Sequence, residues 1–224
     1  MIKPIQFLID QLMIPFLTFS YNSLYPNYAI AIILLTIVIK LALFPLTHKQ
    51  FLSMKNMQKI QPKMKEIREK YKKDPQKLQQ EMMSLYKTSG INPLSGCLPM
   101  LVQLPFLFAL FYTMSSDKFK VLISQEGVFP GFTNFWLPNL SQPDHLFILP
   151  IVIGVATYLS QKATPMSGDK NQQKIMMFFP VIMVVICFKM PAGVLLYWAA
   201  SQIISTMQQL IIMKPQKEGA LSNV

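Results

Sequence analysis

Lys40 is the side chain in this 224-residue sequence whose type and setting carry the most chemistry. It lies 12 residues beyond Tyr28, inside an apolar run that reaches Leu46. At 1.5 Å per helical residue it would sit roughly 18 Å from one end of that run and roughly 9 Å from the other. Two settings suit a lysine there. It can snorkel its ammonium to the nearer surface along its own aliphatic stem, or it can face a watery cavity between helices, the usual place for an intramembrane charge. Thr36, four residues earlier, shares its helix face. Other apolar runs carry amides, namely Gln103, Gln161, Gln202, Gln208 and Gln209. Each alone is ordinary interhelical glue. With a lysine that has no acidic neighbour in any apolar run, they describe a polar interior surface.

The same inspection argues against catalysis. All ten Asp and Glu residues fall outside the apolar runs, so no buried carboxylate dyad or proton relay is built. No H-E-x-x-H zinc motif, phosphate-binding P-loop or G-x-S-x-G elbow occurs. His48 and His145 belong to different ends of the molecule. Neither a metal nor a cofactor is expected, and the chain does not read as an enzyme.

The elements that must position Lys40 follow from hydropathy. The chain is 52% hydrophobic and only 14% charged, against about 25% charged in soluble domains. Five segments read as spans: Tyr28 to Leu46, Cys97 to Met114, Leu146 to Gln161, Ile175 to Phe188 and Ala192 to Met213. The third and fourth have short uncharged cores, which would thin the surrounding bilayer. With the N-terminus outside, segments 47–96, 162–174 and 214–224 lie inside and hold 16 basic and 6 acidic residues. The outer segments hold four of each. This asymmetry orients the chain N-out and C-in. Cys97 and Cys187 are read as small apolar residues, not a disulfide. Residues 1–26 lack a clean signal-peptide core. Ile2, Ile5, Leu8, Ile9, Leu12, Met13 and Phe16 recur at helical spacing, as in an amphipathic helix lying on the outer face. A poor spanning segment is the alternative.

Residues 50–89 form a basic appendage. Met57, Ile60, Met64, Ile67 and Tyr71 make one apolar stripe, and Leu78, Met82 and Leu85 a second. Asp74-Pro75 separates them, Pro62 is expected to kink or interrupt the first, and Gly90 is placed to end the second. The expectation is a cytoplasmic helical hairpin. Its stripes can pack the arms together, or Met57, Met64 and Met82 can present a pliable surface to hydrophobic clients. Lysines such as Lys63 and Lys65 suit anionic lipid headgroups. No aromatic interleaving or nucleic-acid motif accompanies them, so specific nucleic-acid binding is not expected.

The runs AIAIILLTIVIKLALFPLTHKQ, SMKNMQKIQPKMKEIREKYKKDPQKLQQEMMSLYK and GINPLSGCLPMLVQLPFLFALF, in that order, resemble the YidC membrane-protein insertases of the Oxa/Alb superfamily. NQQKIMMFFPVIMV and PAGVLLYWAASQIISTMQQ extend the resemblance to about Met213. It implies an all-α polytopic membrane protein with five transmembrane helices, a cytoplasmic hairpin and an N-terminal amphipathic interfacial helix. The core would span 27–214, with 215–224 a short cytoplasmic tail. It also implies a hydrophilic groove open to cytoplasm and lipid. Lys40 aligns with the arginine that normally charges that groove, keeping the charge but losing the planar fork. Thr36, Tyr197 and Trp198 match positions resembling substrate contacts, with Gln103 and Gln161 as further carry-overs. Tyr197 and Trp198 also suit plain helix packing. No upstream anchor or large extracytoplasmic domain is seen, so the expectation is a compact member or a piece of a longer chain. The short tail argues against dedicated ribosome binding through it.

The expected function is therefore insertion of hydrophobic client helices into a bacterial plasma membrane, without nucleotide hydrolysis. Expected partners are nascent membrane-protein clients and anionic lipid, with the ribosome and a Sec translocon as further candidates, and a monomer suffices. A small-solute transporter or channel is the alternative, though neither an inverted repeat nor an intramembrane acid is visible.

Overall fold

The computed structural model describes residues 3–92, 98–116, 119, 136–137, 139–163 and 170–213. Ile2, Cys97 and the tail 215–224 lie outside the described residues.

The chain begins with α1 (Lys3–Leu8), a π-helical turn (Ile9–Met13) and α2 (Ile14–Ser23), which follow one another without a break. Pro15, at the start of α2, lacks a backbone N–H and crowds the preceding turn. The wider turn absorbs this crowding, and the Ile14 N–H bonds the Ile9 carbonyl five residues back. Ile9, Met13, Leu17 and Ser20 are buried along one stripe, and the segment packs on the long helix that follows and on α5 (Leu98–Ser115). The amphipathic pattern thus serves the protein core as well as any interface. Phe7 and Phe19 stay exposed on the other side.

That long helix, α3, runs from Tyr28 to Lys70 over 43 residues. Asn27 caps it, its Oδ1 accepting from Ala29 N at 2.9 Å and Ile30 N at 3.2 Å. The expected interruption at Pro62 does not occur, and Pro45 is traversed too. Both prolines are exposed, so each costs a hydrogen bond on an open face without a clash in the core. The first apolar run and the first basic stripe are consequently one continuous rod of about 65 Å. A turn at 71–74 leads into α4 (Pro75–Thr88). Asp74 caps α4 by accepting from Lys77 N at 3.0 Å, with Pro75 in the first turn where its missing N–H does no harm. Gly90 takes φ +64°, and the bonds Gly90 N to Lys87 O and Ile91 N to Tyr86 O complete a Schellman motif. Lys77 lies 5.5 Å from the Tyr71 ring centre, tying the turn to α4. Burial raises the Tyr86 phenol above its ordinary pKa, and the nearby Arg68 guanidinium pulls it back.

The remaining helices among the described residues are α6 (Ile148–Ala163), α7 (Lys170–Cys187) and α8 (Ala192–Ile212). Helix α8 lies at the centre, packed against α3, α5 and α6, while α7 packs on α6. At Gly154 a Cβ would meet Val184 Cγ2 at 2.5 Å, so the absent side chain is what lets α6 and α7 approach. The first amides of α8 are satisfied from a loop: Ala192 N bonds Gln142 O at 2.7 Å and Gly193 N bonds Leu140 O at 2.9 Å. Asp144, buried in that loop, accepts from Leu149 N at 2.7 Å and from Leu146 N and Trp136 Nε1, both at 3.1 Å. It thereby caps α6, and Phe147 accommodates the tight path with φ +57°.

By length and composition α3 is the one described helix long and apolar enough to cross a membrane, whereas apolar stretches in α5, α6 and α7 are shorter. The 16 residues of α6 span about 24 Å, short of a hydrocarbon core of about 30 Å. Five spans were expected from hydropathy, so membrane crossing by the other four rests on more than length. Leu41, Phe44, Ile151, Val155, Val181 and Val185 are all about half or more exposed and belong to three different helices. An apolar surface of that kind needs a cover other than water.

Candidate functional site

Lys40 is half-buried where α3, α5 and α8 meet. Its Nζ donates to Gln103 Oε1 at 3.1 Å and to Ser205 Oγ at 2.7 Å. Gln103 Oε1 also accepts from Ser201 Oγ at 3.0 Å, and its Nε2 donates to the Tyr197 hydroxyl. One amide therefore serves a cation, an alcohol and a phenol, with its orientation set by two donors on the oxygen side. Tyr197, Ser201 and Ser205 recur every four residues and so share one face of α8. Lys40 is thus held by side chains of two other helices.

Further along the same helix pair, Thr47 and Gln208 are hydrogen-bonded at 3.1 Å. On the α6 side of α8, Gln209 Nε2 donates to the Ser160 carbonyl at 3.1 Å and its Oε1 accepts from the Ser160 hydroxyl. Thr206 Oγ1 reaches Ala156 O at 3.3 Å. These bonds join helices without approaching Lys40.

The residues singled out in the sequence divide accordingly. Lys40, Gln103 and Tyr197 form one cluster. Thr36 does not join it: it is fully buried, and its hydroxyl bonds the Ile32 carbonyl of its own helix at 2.7 Å. Trp198 is partly buried against the apolar core, being turned about 100° from Tyr197 by the helical step. Gln161 is half-buried near the end of α6, where its neighbour Ser160 makes the link to α8. On the hairpin, Met57 and Met64 are 4% and 1% exposed, so neither presents a surface to a client. Met82 is half-buried, whereas Met83 is exposed, and Lys63 and Lys65 are exposed as expected. Ser201 and Ser205 are cluster residues the sequence reading missed. Their four-residue spacing after Tyr197 was the available signal.

Among the described residues no group of three or more His, Cys, Asp or Glu is placed to hold a metal ion. The arrangement contains a positively charged donor held by neutral acceptors, which suits binding of polar or anionic groups.

An all-helical protein with an extensive apolar exterior and a cation held between three helices is the class this geometry defines. Residues 19–219 match the model of the 60Kd inner membrane protein family, and the chain belongs to that family. It is 43% identical to a protein of Fusobacterium nucleatum named membrane protein insertase YidC, over 84% of this chain and 87% of that one. A protein of the same name from Syntrophus aciditrophicus is 44% identical over 88% of this chain. The chain spans only about a third (35%) of the Syntrophus protein. Among solved structures, one described as an active YidC insertase with its first transmembrane domain resolved matches with a TM-score of 0.69 and 29% identity. That match covers 89% of this chain and 45% of the other.

Proposed function

We propose that the chain is a membrane-protein insertase that takes hydrophobic client segments from the cytoplasm into a bacterial plasma membrane. The observation that carries this reading is the Lys40 ammonium, held by Gln103 and Ser205 between α3, α5 and α8. An ammonium has three donors, and two have partners among the described residues. The third is available to an arriving carboxylate or carbonyl.

In this reading five helices cross the bilayer, the N-terminus lies outside, and the α3–α4 hairpin projects into the cytoplasm. A client's polar segment meets the Lys40 cluster along a groove beside α8. Its polar groups exchange water for the hydroxyls, amide and ammonium there, which offsets part of the several kcal/mol that each would cost in bare hydrocarbon. The brevity of α6 and α7 would thin the membrane locally and shorten the remaining path. Burial of the client's apolar helix in lipid then drives the step. No covalent chemistry and no nucleotide hydrolysis enter. Lys63 and Lys65 would steady the hairpin against anionic headgroups, each worth about 1 kcal/mol near the surface.

The test is photocrosslinking from position 205 to a ribosome-stalled nascent membrane protein, with position 155 on the apolar face of α6 as comparison. Crosslinks at 205 that arise as the first apolar segment emerges support the reading. Their absence at 205 in folded protein that still inserts clients would refute the route past Lys40, and failure of the folded chain to insert any client would refute the insertase reading.

A further inference from the structure

We infer that Gln50 is a docking point for the peptide backbone of the client, at the inner end of the polar track on α3, a role that rests on the insertase reading above. Gln50 is 3% exposed, and among the described residues neither its Oε1 nor its Nε2 has a hydrogen-bond partner. Two other side chains, Ser20 and His48, each leave a single buried atom unpaired among the described residues. Gln50 is distinguished by leaving a donor and an acceptor unpaired together.

Its position gives that pair a use. Lys40, Thr47 and Gln50 follow one another along α3 towards the hairpin, and the first two hydrogen-bond to residues of α8 or α5. Gln50 stands one turn beyond the Thr47–Gln208 pair. On the same stretch, Phe51 and Met54 pack against Ile212 and Met213, which end α8. The polar track thus finishes in an amide beside an apolar contact made by one terminal helical turn. A buried amide without partners forfeits the water it lost on folding. Leucine, of similar size, would carry no such cost. A primary amide, however, presents a C=O and an N–H side by side, complementary to the N–H and C=O of an extended backbone. Such pairing ignores client side chains, which suits a protein that handles many sequences. The end of α8 must shift for the client to reach it.

The test is Gln50→Leu in the full chain reconstituted in lipid vesicles. Two readouts are needed, the unfolding midpoint and the insertion of a single-span test protein with an uncharged translocated tail. The proposal expects them to move in opposite directions. The midpoint rises by a few degrees as an unsatisfied polar group is removed. Insertion falls about two- to tenfold, the worth of one or two hydrogen bonds. A raised midpoint with unchanged insertion overturns the proposal, since the amide would then be a plain packing defect. A lowered midpoint overturns it too, because water or protein would then be satisfying the amide structurally. Lys40→Ala is run in parallel with a client bearing an acidic tail. Failure of the unaltered chain to insert either client would refute the insertase reading itself, whereas insertion by the unaltered chain that Gln50→Leu leaves unchanged sinks only the docking role.

Discussion

Ser205 on α8 accepts a hydrogen bond from Lys40 on α3 at 2.7 Å, although 165 residues separate them in the chain. The contact ties the helix carrying the charge to the central helix, which packs against α3, α5 and α6. It also leaves the ammonium facing neutral partners, since no carboxylate hydrogen-bonds Lys40 among the described residues.

Replacement of Lys40 by alanine removes the charge while leaving Gln103 and Ser205 to reorganise. Clients whose translocated segment carries Asp or Glu should insert about tenfold more slowly, the value of one charge-assisted hydrogen bond. Clients with uncharged segments should be affected less. Protease protection of inserted clients in proteoliposomes measures both, and equal losses would remove the charge from the mechanism.

Gln103→Leu strands three groups at once, namely Lys40, Ser201 and Tyr197. A destabilisation of about 1–3 kcal/mol is expected from the partners left unpaired. It should appear as a lower unfolding midpoint in detergent. Combined with Tyr197→Phe, the loss should be smaller than the sum of the two single losses, because both variants break the same bond.

Gly154→Ala places a methyl where Val184 Cγ2 lies 2.5 Å away. Valine is stiff at χ1 and cannot swing aside cheaply, so α6 and α7 must separate. Overpacking of this kind costs about 1–3 kcal/mol. Val184→Ala in the same chain should restore much of the lost thermal stability; failure of that rescue would place the strain elsewhere.

Asp144→Ala removes the acceptor of Leu146 N, Leu149 N and Trp136 Nε1. Loss of a helix cap alone costs about 1 kcal/mol, and the indole loses its bond as well. The unfolding midpoint should fall and the Trp136 fluorescence should shift, while Asp144→Asn, which keeps one acceptor oxygen, should do less damage.

Local chemistry made much of this molecule legible before any coordinates. The Asp74-Pro75 pair and Gly90 each act on their own backbone within a few residues, so they mark helix ends wherever the helices go. Pro62 was expected to kink or interrupt its helix, and it does not interrupt it, because the bond it removes faces open surface. Lys40 and Gln103 were identifiable because polar groups in apolar runs are costly unless they find one another, whereas Tyr197 was marked by the family resemblance.

What only the tertiary structure decided is the rotation and register of one helix against another. Thr36 and Lys40 share a face of α3, yet the threonine turns into the core and its hydroxyl donates to the Ile32 carbonyl one turn back. Tyr197 and Trp198 are adjacent, yet a single 100° step sends one to the Lys40 cluster and the other to apolar packing. Gln209 beside Ser160 and Gln208 beside Thr47 differ by the same step. The sequence by itself determined which residues must leave hydrocarbon. Their partners were decided by how α3, α5, α6 and α8 close-pack together, because a side chain's direction is fixed relative to its own helix axis and the axes are fixed only by one another.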